Sequence, residues 1–158
     1  MPLVLDVLRH AEAEPAGPAG DAERALTPAG RRAIEALARR LAAEGWRPGR
    51  IFTSPLLRAR QTAEIARAAS PQAPVIEPLE ELRAEREPAD VLAALAAARA
   101  GDGHVLLVTH QPLAGRLAAL LTGSETPFKP GTLARFECPA GSRPGGGRLV
   151  MSVPPAAR

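Results

Sequence analysis

Two histidines and two arginines stand where strand-like runs of this 158-residue chain give out. Arg9-His10 follows the apolar run 3–8, and His110 follows the run 104–109. Arg58 falls shortly after the run 50–53, in what reads as the first turn of a helix. A neutral imidazole is a nucleophile or proton carrier near neutral pH. A guanidinium is a permanent cation whose planar fork matches phosphate oxygens in pairs. In open α/β sheets ligands bind beyond the carboxyl ends of the strands. Helices that begin there add unpaired backbone N–H groups and the positive ends of their dipoles. Gathered at one point, these groups describe an anion site, with phosphate the obvious anion. Singly, each has a plainer reading: Arg9-His10 as a strand end reaching solvent, Arg58 as a helix-face charge beside Arg60 and Arg67, His110 as a helix-start residue with a satisfied ring. Joint placement at successive strand ends carries the case.

The elements that must position them can be read from periodicity and punctuation. Residues 3–8 (Leu-Val-Leu-Asp-Val-Leu) read as a buried strand, followed by a long irregular stretch, 11–26, of the kind that is often functional. Thr27-Pro28 signals a helix start, with Ala33, Ile34, Leu37, Ala38 and Leu41 at helical spacing and Gly45 as the stop. A second strand fits 50–53, and Ser54-Pro55 reads as another capped start, for a helix to about Ala69. Val75-Ile76 reads as a short third strand, and 78–88 as an acidic, irregular connection. Val91, Leu92 and Leu95 mark a helix. Residues 104–109 give the strongest strand signal, and Leu113, Leu117, Leu120 and Leu121 share a helical face. Two last strands fit 132–136 and 148–153, joined by the Gly/Pro-rich 139–147. The expectation is an α/β three-layer sandwich. Its central sheet is largely parallel, with helices on both faces and a C-terminal hairpin or edge strand, all in one domain, 1–158.

Composition narrows the classes. Apolar residues make up 46% but aromatics only 3%, so the core must be aliphatic. The single cysteine, Cys138, excludes an intramolecular disulfide and a cysteine-based metal cage. No run is long enough to cross a membrane and no basic-then-apolar leader opens the chain, so the expected compartment is the cytoplasm. Net charge is +3, but the cations are arginines interspersed with acids, Lys129 being the only lysine, so no nucleic-acid partner is expected. His104 and Trp46 read as an exposed strand opener and a helix-end cover.

Leu8-Arg9-His10-Ala11 resembles the Arg-His-Gly/Ala signature of the histidine phosphatase superfamily, which includes the cofactor-dependent phosphoglycerate mutases. Ser54-Pro55-Leu56-Leu57-Arg58-Ala59-Arg60-Gln61-Thr62 resembles its second motif, and Thr109-His110-Gln111-Pro112 its third. Within the superfamily the stretch from Asp21 to Gly30 and the small size resemble the SixA-type phosphohistidine phosphatases. The resemblance implies a phosphoglycerate mutase-like fold, His10 as the nucleophile, and Arg9, Arg58 and His110 as holders of the phosphoryl oxygens. It also implies Arg24, Ser54 and Gln111 at the substrate. Neither cofactor nor metal is expected, and the chain is expected to be a monomer.

The proton donor is the open question. Larger family members carry a Glu in a motif without a clean match here. Glu81 and Glu80 lie in the corresponding region, with Glu85 and Glu87 further on, while Asp21 or Glu12 in the earlier loop could serve instead. A phosphohistidine releases an imidazole, which leaves easily near neutral pH, whereas an alkyl phosphate releases a basic alkoxide that needs a proton. The expected substrate is therefore a protein phosphohistidine. A phosphatase or mutase of small phosphate esters and a non-catalytic phosphate-recognition module stand as alternatives.

Overall fold

The computed structural model describes residues 2–155. Chain order is β1 (Leu3–Arg9), α1 (Pro28–Ala43), β2 (Arg50–Thr53), α2 (Leu57–Arg67), β3 (Ile76–Pro78), α3 (Pro88–Ala97), β4 (Gly103–Thr109), α4 (Leu113–Thr122), β5 (Leu133–Cys138) and β6 (Arg148–Val153). Single turns of 3-10 helix lie at Asp21–Glu23 and Glu80–Leu82. The strands form one sheet in the order β3-β2-β4-β1-β5-β6. The first four run parallel, and β5 and β6 are antiparallel additions at one edge, the expected hairpin.

Alternation along the two central strands makes two cores. Leu3, Leu5 and Val7 with Val105 and Leu107 face α3 and α4, where Val91, Leu95, Leu113, Leu117 and Leu121 are buried. Leu8 with Leu106 and Val108 faces α1 and α2, meeting Ile34, Leu37, Leu41, Ala59 and Ala63. Strands buried on both faces need continuous aliphatic character, which these sequences have. The outcome is the expected three-layer sandwich.

Helix α1 starts and stops as its residues direct. The Thr27 hydroxyl accepts the Gly30 N–H at 2.9 Å, and Gly45 turns the chain at φ +77°. Its N–H then reaches the Ala42 carbonyl while that of Trp46 reaches Leu41, a Schellman closure.

Three readings need correction. Helix α2 starts at Leu57, not at Ser54-Pro55, because Leu56 occupies its cap position and Ser54 is engaged elsewhere. The third strand is Ile76–Pro78, set by pairing with Ile51–Thr53, and leaves Val75 three-quarters exposed. Pro78 is tolerated because β3 is an edge strand. His104 is not a free surface residue: its Nε2 lies 2.7 Å from Oδ2 of Asp6. Asp6, wholly buried in the middle of β1, also accepts from Trp46 Nε1 at 2.8 Å and from Arg135 Nε and Nη2 at 2.7 and 3.0 Å. Cys138 is buried, and desolvation raises its thiol pKa.

Candidate active site

Sheet register brings the reactive residues together. Arg9 pairs with Thr109 across β1 and β4, so His10 and His110 leave the sheet side by side. Their ring centroids are 4.9 Å apart. The backbone N–H of His10 donates to the Thr109 carbonyl at 3.0 Å, and that of Ser54 to Val108 at 2.9 Å, so β2 ends level with them. From the other side, the Gly131 N–H reaches the carbonyls of Arg9 and His10. Above these ends lies a pocket of about 340 Å³ whose walls include Arg9, His10, Glu12, Arg24, Arg58 and His110.

His10 is nine-tenths buried, and its Nδ1 lies 2.8 Å from the Ala11 carbonyl oxygen. A carbonyl only accepts, so Nδ1 carries the proton and Nε2 keeps the lone pair. The ring's pKa is lowered from 6.5 to about 4, by burial first, with the Ala11 bond opposing, and then by the charges of Arg58, Arg9 and Arg24. Desolvation outranks repulsion from the arginines. The imidazole is therefore neutral at physiological pH.

Three arginines ring it. Arg9 Nη1 donates to the Phe128 carbonyl at 2.8 Å. Arg58, on the first turn of α2 and almost fully buried, donates from Nη1 to the Asp21 carbonyl at 2.9 Å and from Nη2 to Asp21 Oδ2 at 3.3 Å. Arg24 donates from Nε to the Glu14 carbonyl at 2.6 Å and from Nη1 to Asp21 Oδ1 at 3.2 Å. Asp21 thus clamps the early loop onto α2. The Arg24 bond is the leading reason its carboxyl stays below the usual aspartate pKa. Among the described residues, four buried side-chain polar atoms lack a hydrogen-bond partner, and three of them are Arg9 Nε, Arg58 Nε and His110 Nδ1. Orphaned donors are costly and rare, and their concentration on one pocket fits an anion.

His110 Nε2 lies 2.7 Å from Ser54 Oγ, which also accepts the Leu56 N–H at 3.3 Å. Helix capping was the expected job of Ser54; instead its hydroxyl bridges the turn before α2 to the second histidine, not to His10. Where the Ser54 hydroxyl donates to His110 Nε2, the neutral ring's one proton sits on Nδ1, the orphaned atom. Burial first, and then the neighbouring His10 and Arg58, lower the His110 pKa to about 3.

Gln111 lines the pocket, with its Oε1 accepting the Gly115 N–H at 2.7 Å inside α4. Glu80 and Glu81 are not in the pocket wall: Glu80 pairs with Arg83, and the connection from β3 to α3 contributes Ala84 instead. The carboxylate in the wall is that of Glu12, whose Oε1 accepts from Thr27 Oγ1 at 3.1 Å.

Several residues matter more than the sequence reading allowed. Thr62, fully buried, receives the Ala11 N–H on its hydroxyl at 3.3 Å, and Gln61 Oε1 receives that of Leu26 at 2.8 Å. Both sit in the second motif, and both tie loops to α2. Gly30 lets α1 pass the loop after His10: a Cβ there would lie 2.2 Å from the Glu12 carbonyl oxygen.

The mainly parallel sheet and the orphaned cationic groups at its strand ends fit a protein that binds an anion. The sequence profile of the histidine phosphatase superfamily (branch 1) matches residues 5–86, more than half the chain, and the chain belongs to that superfamily. It is similar over 96% of both chains to the protein histidine phosphatase SixA solved with tungstate, at 27% identity and a TM-score of 0.86. SixA from Nakamurella multipartitia is 25% identical, with 99% of this chain and 98% of that one aligned and a TM-score of 0.79. A Plasmodium falciparum phosphoglycerate mutase, 14% identical with a TM-score of 0.66 over 96% of this chain and 90% of its own, shares the fold. No curated protein matches the sequence. Among the described residues, no helix is long and apolar enough to cross a membrane.

Proposed function

We propose that this chain is a phosphatase that removes phosphoryl groups from phosphohistidine on proteins by way of a phosphorylated His10. Nε2 of His10 attacks phosphorus as the P–N bond to the substrate imidazole breaks. The departing imidazole takes a proton from solvent. Water then attacks the phosphoryl group on His10, releasing phosphate and restoring the ring. Arg9, Arg58 and His110 hold the equatorial oxygens, where charge accumulates in the transition state. Ser54 keeps the His110 Nδ1 proton aimed as a donor, and Arg24 closes the outer side.

Ala84 carries the choice of substrate. The connection that bears a Glu in larger relatives offers a methyl group here, and Glu12 is already held by Thr27. A site poor in proton donors favours leaving groups that depart unaided, and the SixA likeness points the same way. The test compares a phosphohistidine peptide, an aryl phosphate and an alkyl phosphate. Turnover of the first two, with the alkyl ester slower by about 10²-fold or more, is expected; equal rates on the alkyl ester would overturn the reading. The presence of Glu12 in the wall favours one second reading, an ester phosphatase with Glu12 as its acid. Under it, Glu12→Gln would abolish ester hydrolysis; under ours, phosphohistidine hydrolysis survives the change.

A further inference from the structure

Beside the pocket runs a larger groove, about 1060 Å³, along the exposed side of α1. Glu12 and Pro130 wall both cavities, so the groove adjoins the phosphoryl site. Its floor is Ala29, Gly30, Ala33 and Ala36, and its rims carry Arg32 and Arg39 on α1 and Lys129 on the loop before β5. These three cations are exposed, and among the described residues none takes part in an ion pair.

We infer that this groove docks an acidic segment of the same protein that presents the phosphohistidine. The inference rests on the function proposed above and adds the partner's chemistry. The phosphoryl pocket holds one side chain, so the segment that carries it lies on the neighbouring surface, and the groove adjoins the pocket at Glu12 and Pro130. Among the described residues that surface presents three cations against one carboxylate, that of Glu12. Its length and volume suit a polypeptide better than a small metabolite. Among the described residues no aromatic ring lines it, so these offer no platform on which nucleic-acid bases could stack. Exposed charges of this kind mainly set encounter rate and specificity and are screened by salt.

The experiment uses the full chain and two phosphohistidine peptides of equal length. Glutamates flank the phosphohistidine in one and glutamines in the other, and an aryl phosphate serves as control. The wild type is expected to favour the acidic peptide in kcat/KM by about tenfold at low salt, the product of three exposed contacts worth roughly twofold each. The preference should fade at high salt. The R32E/R39E/K129E variant should lose the preference while its aryl phosphate turnover stays unchanged. Equal use of both peptides by the wild type, or an undiminished preference in the variant, overturns the docking surface. Turnover of aryl phosphate with neither peptide used would instead sink the phosphohistidine reading. Removing residues 156–158, which follow Pro155 in the groove wall, should leave the preference as it is. Its appearance only after that removal would make the groove the seat of the chain's own end and overturn the proposal.

Discussion

In the middle of β1, the Asp6 carboxylate collects hydrogen bonds from Trp46, His104 and Arg135, and no buried polar atom of that group is left over. Three residues later on the same strand the pattern reverses. Arg9 Nε, Arg58 Nε and His110 Nδ1 are buried without partners, around a histidine that burial keeps neutral. Each unsatisfied donor costs about 1–3 kcal/mol, so the second cluster weakens the fold that the first one secures. A closed network serves stability, and an open one is kept for a ligand. The difference separates two groups of charged residues that composition alone would class together.

Substitutions can break the comparison from either side. The largest effect belongs to the open cluster. His10→Ala should lower phosphatase activity by about 10⁴-fold or more, the cost of losing a nucleophile, with an unchanged circular dichroism spectrum. Asp6→Ala should do the opposite. It should lower the unfolding free energy by about 3 kcal/mol, toward the lower end for a broken buried pair because Arg135 and His104 are partly exposed. The kcat of the folded fraction should change little. A large kcat loss in Asp6→Ala at full stability would erase the distinction.

Acid should separate the clusters too. The buried Asp6 carboxyl is pushed up by desolvation, but the bonds from His104 and Arg135 outweigh this and hold it below the usual aspartate range. A depressed carboxyl stabilises the fold above its unfolded pKa, and that contribution disappears as pH falls through the lower folded value. His10 acts earlier. Its folded pKa of about 4 lies below the unfolded 6.5, so the unfolded chain takes up the proton first. Stability then declines as pH falls from 6.5 to about 4, by about 2–3 kcal/mol from this ring. Denaturant titrations across that window should show a smaller decline in His10→Asn than in the wild type. The smallest effect sharpens the account of the second histidine: Ser54→Ala should lower kcat about tenfold, the worth of one hydrogen bond to a positioned donor.

Much of this was legible because the signals are local. Aliphatic runs mark the strands, Thr27-Pro28 and Gly45 bound α1, and Arg9-His10, Arg58 and His110 stand at strand ends that parallel register must align. What escaped depends on contacts far apart in the chain. Asp6 reads as one polar residue in an apolar strand, and its partners lie 40, 98 and 129 residues away. Ser54 followed by proline resembles a cap, yet the ring 56 residues on claims its hydroxyl. Glu80 and Glu81 were attractive for their charge, but the short 3-10 turn Glu80–Leu82 buries Leu82 and leaves Ala84 to face the pocket. Glycine at position 30 could be seen, but the carbonyl it must admit could not.

The central claim is that His10 Nε2 carries the phosphoryl group during turnover. Mixing the protein with a phosphohistidine peptide, quenching in alkali within milliseconds, and mapping the chain by mass spectrometry tests it most directly. The account predicts a phosphoryl group on the peptide containing His10, lost in acid, stable in base, and missing from His10→Asn. Steady release of phosphate with no such adduct at any quench time would contradict it.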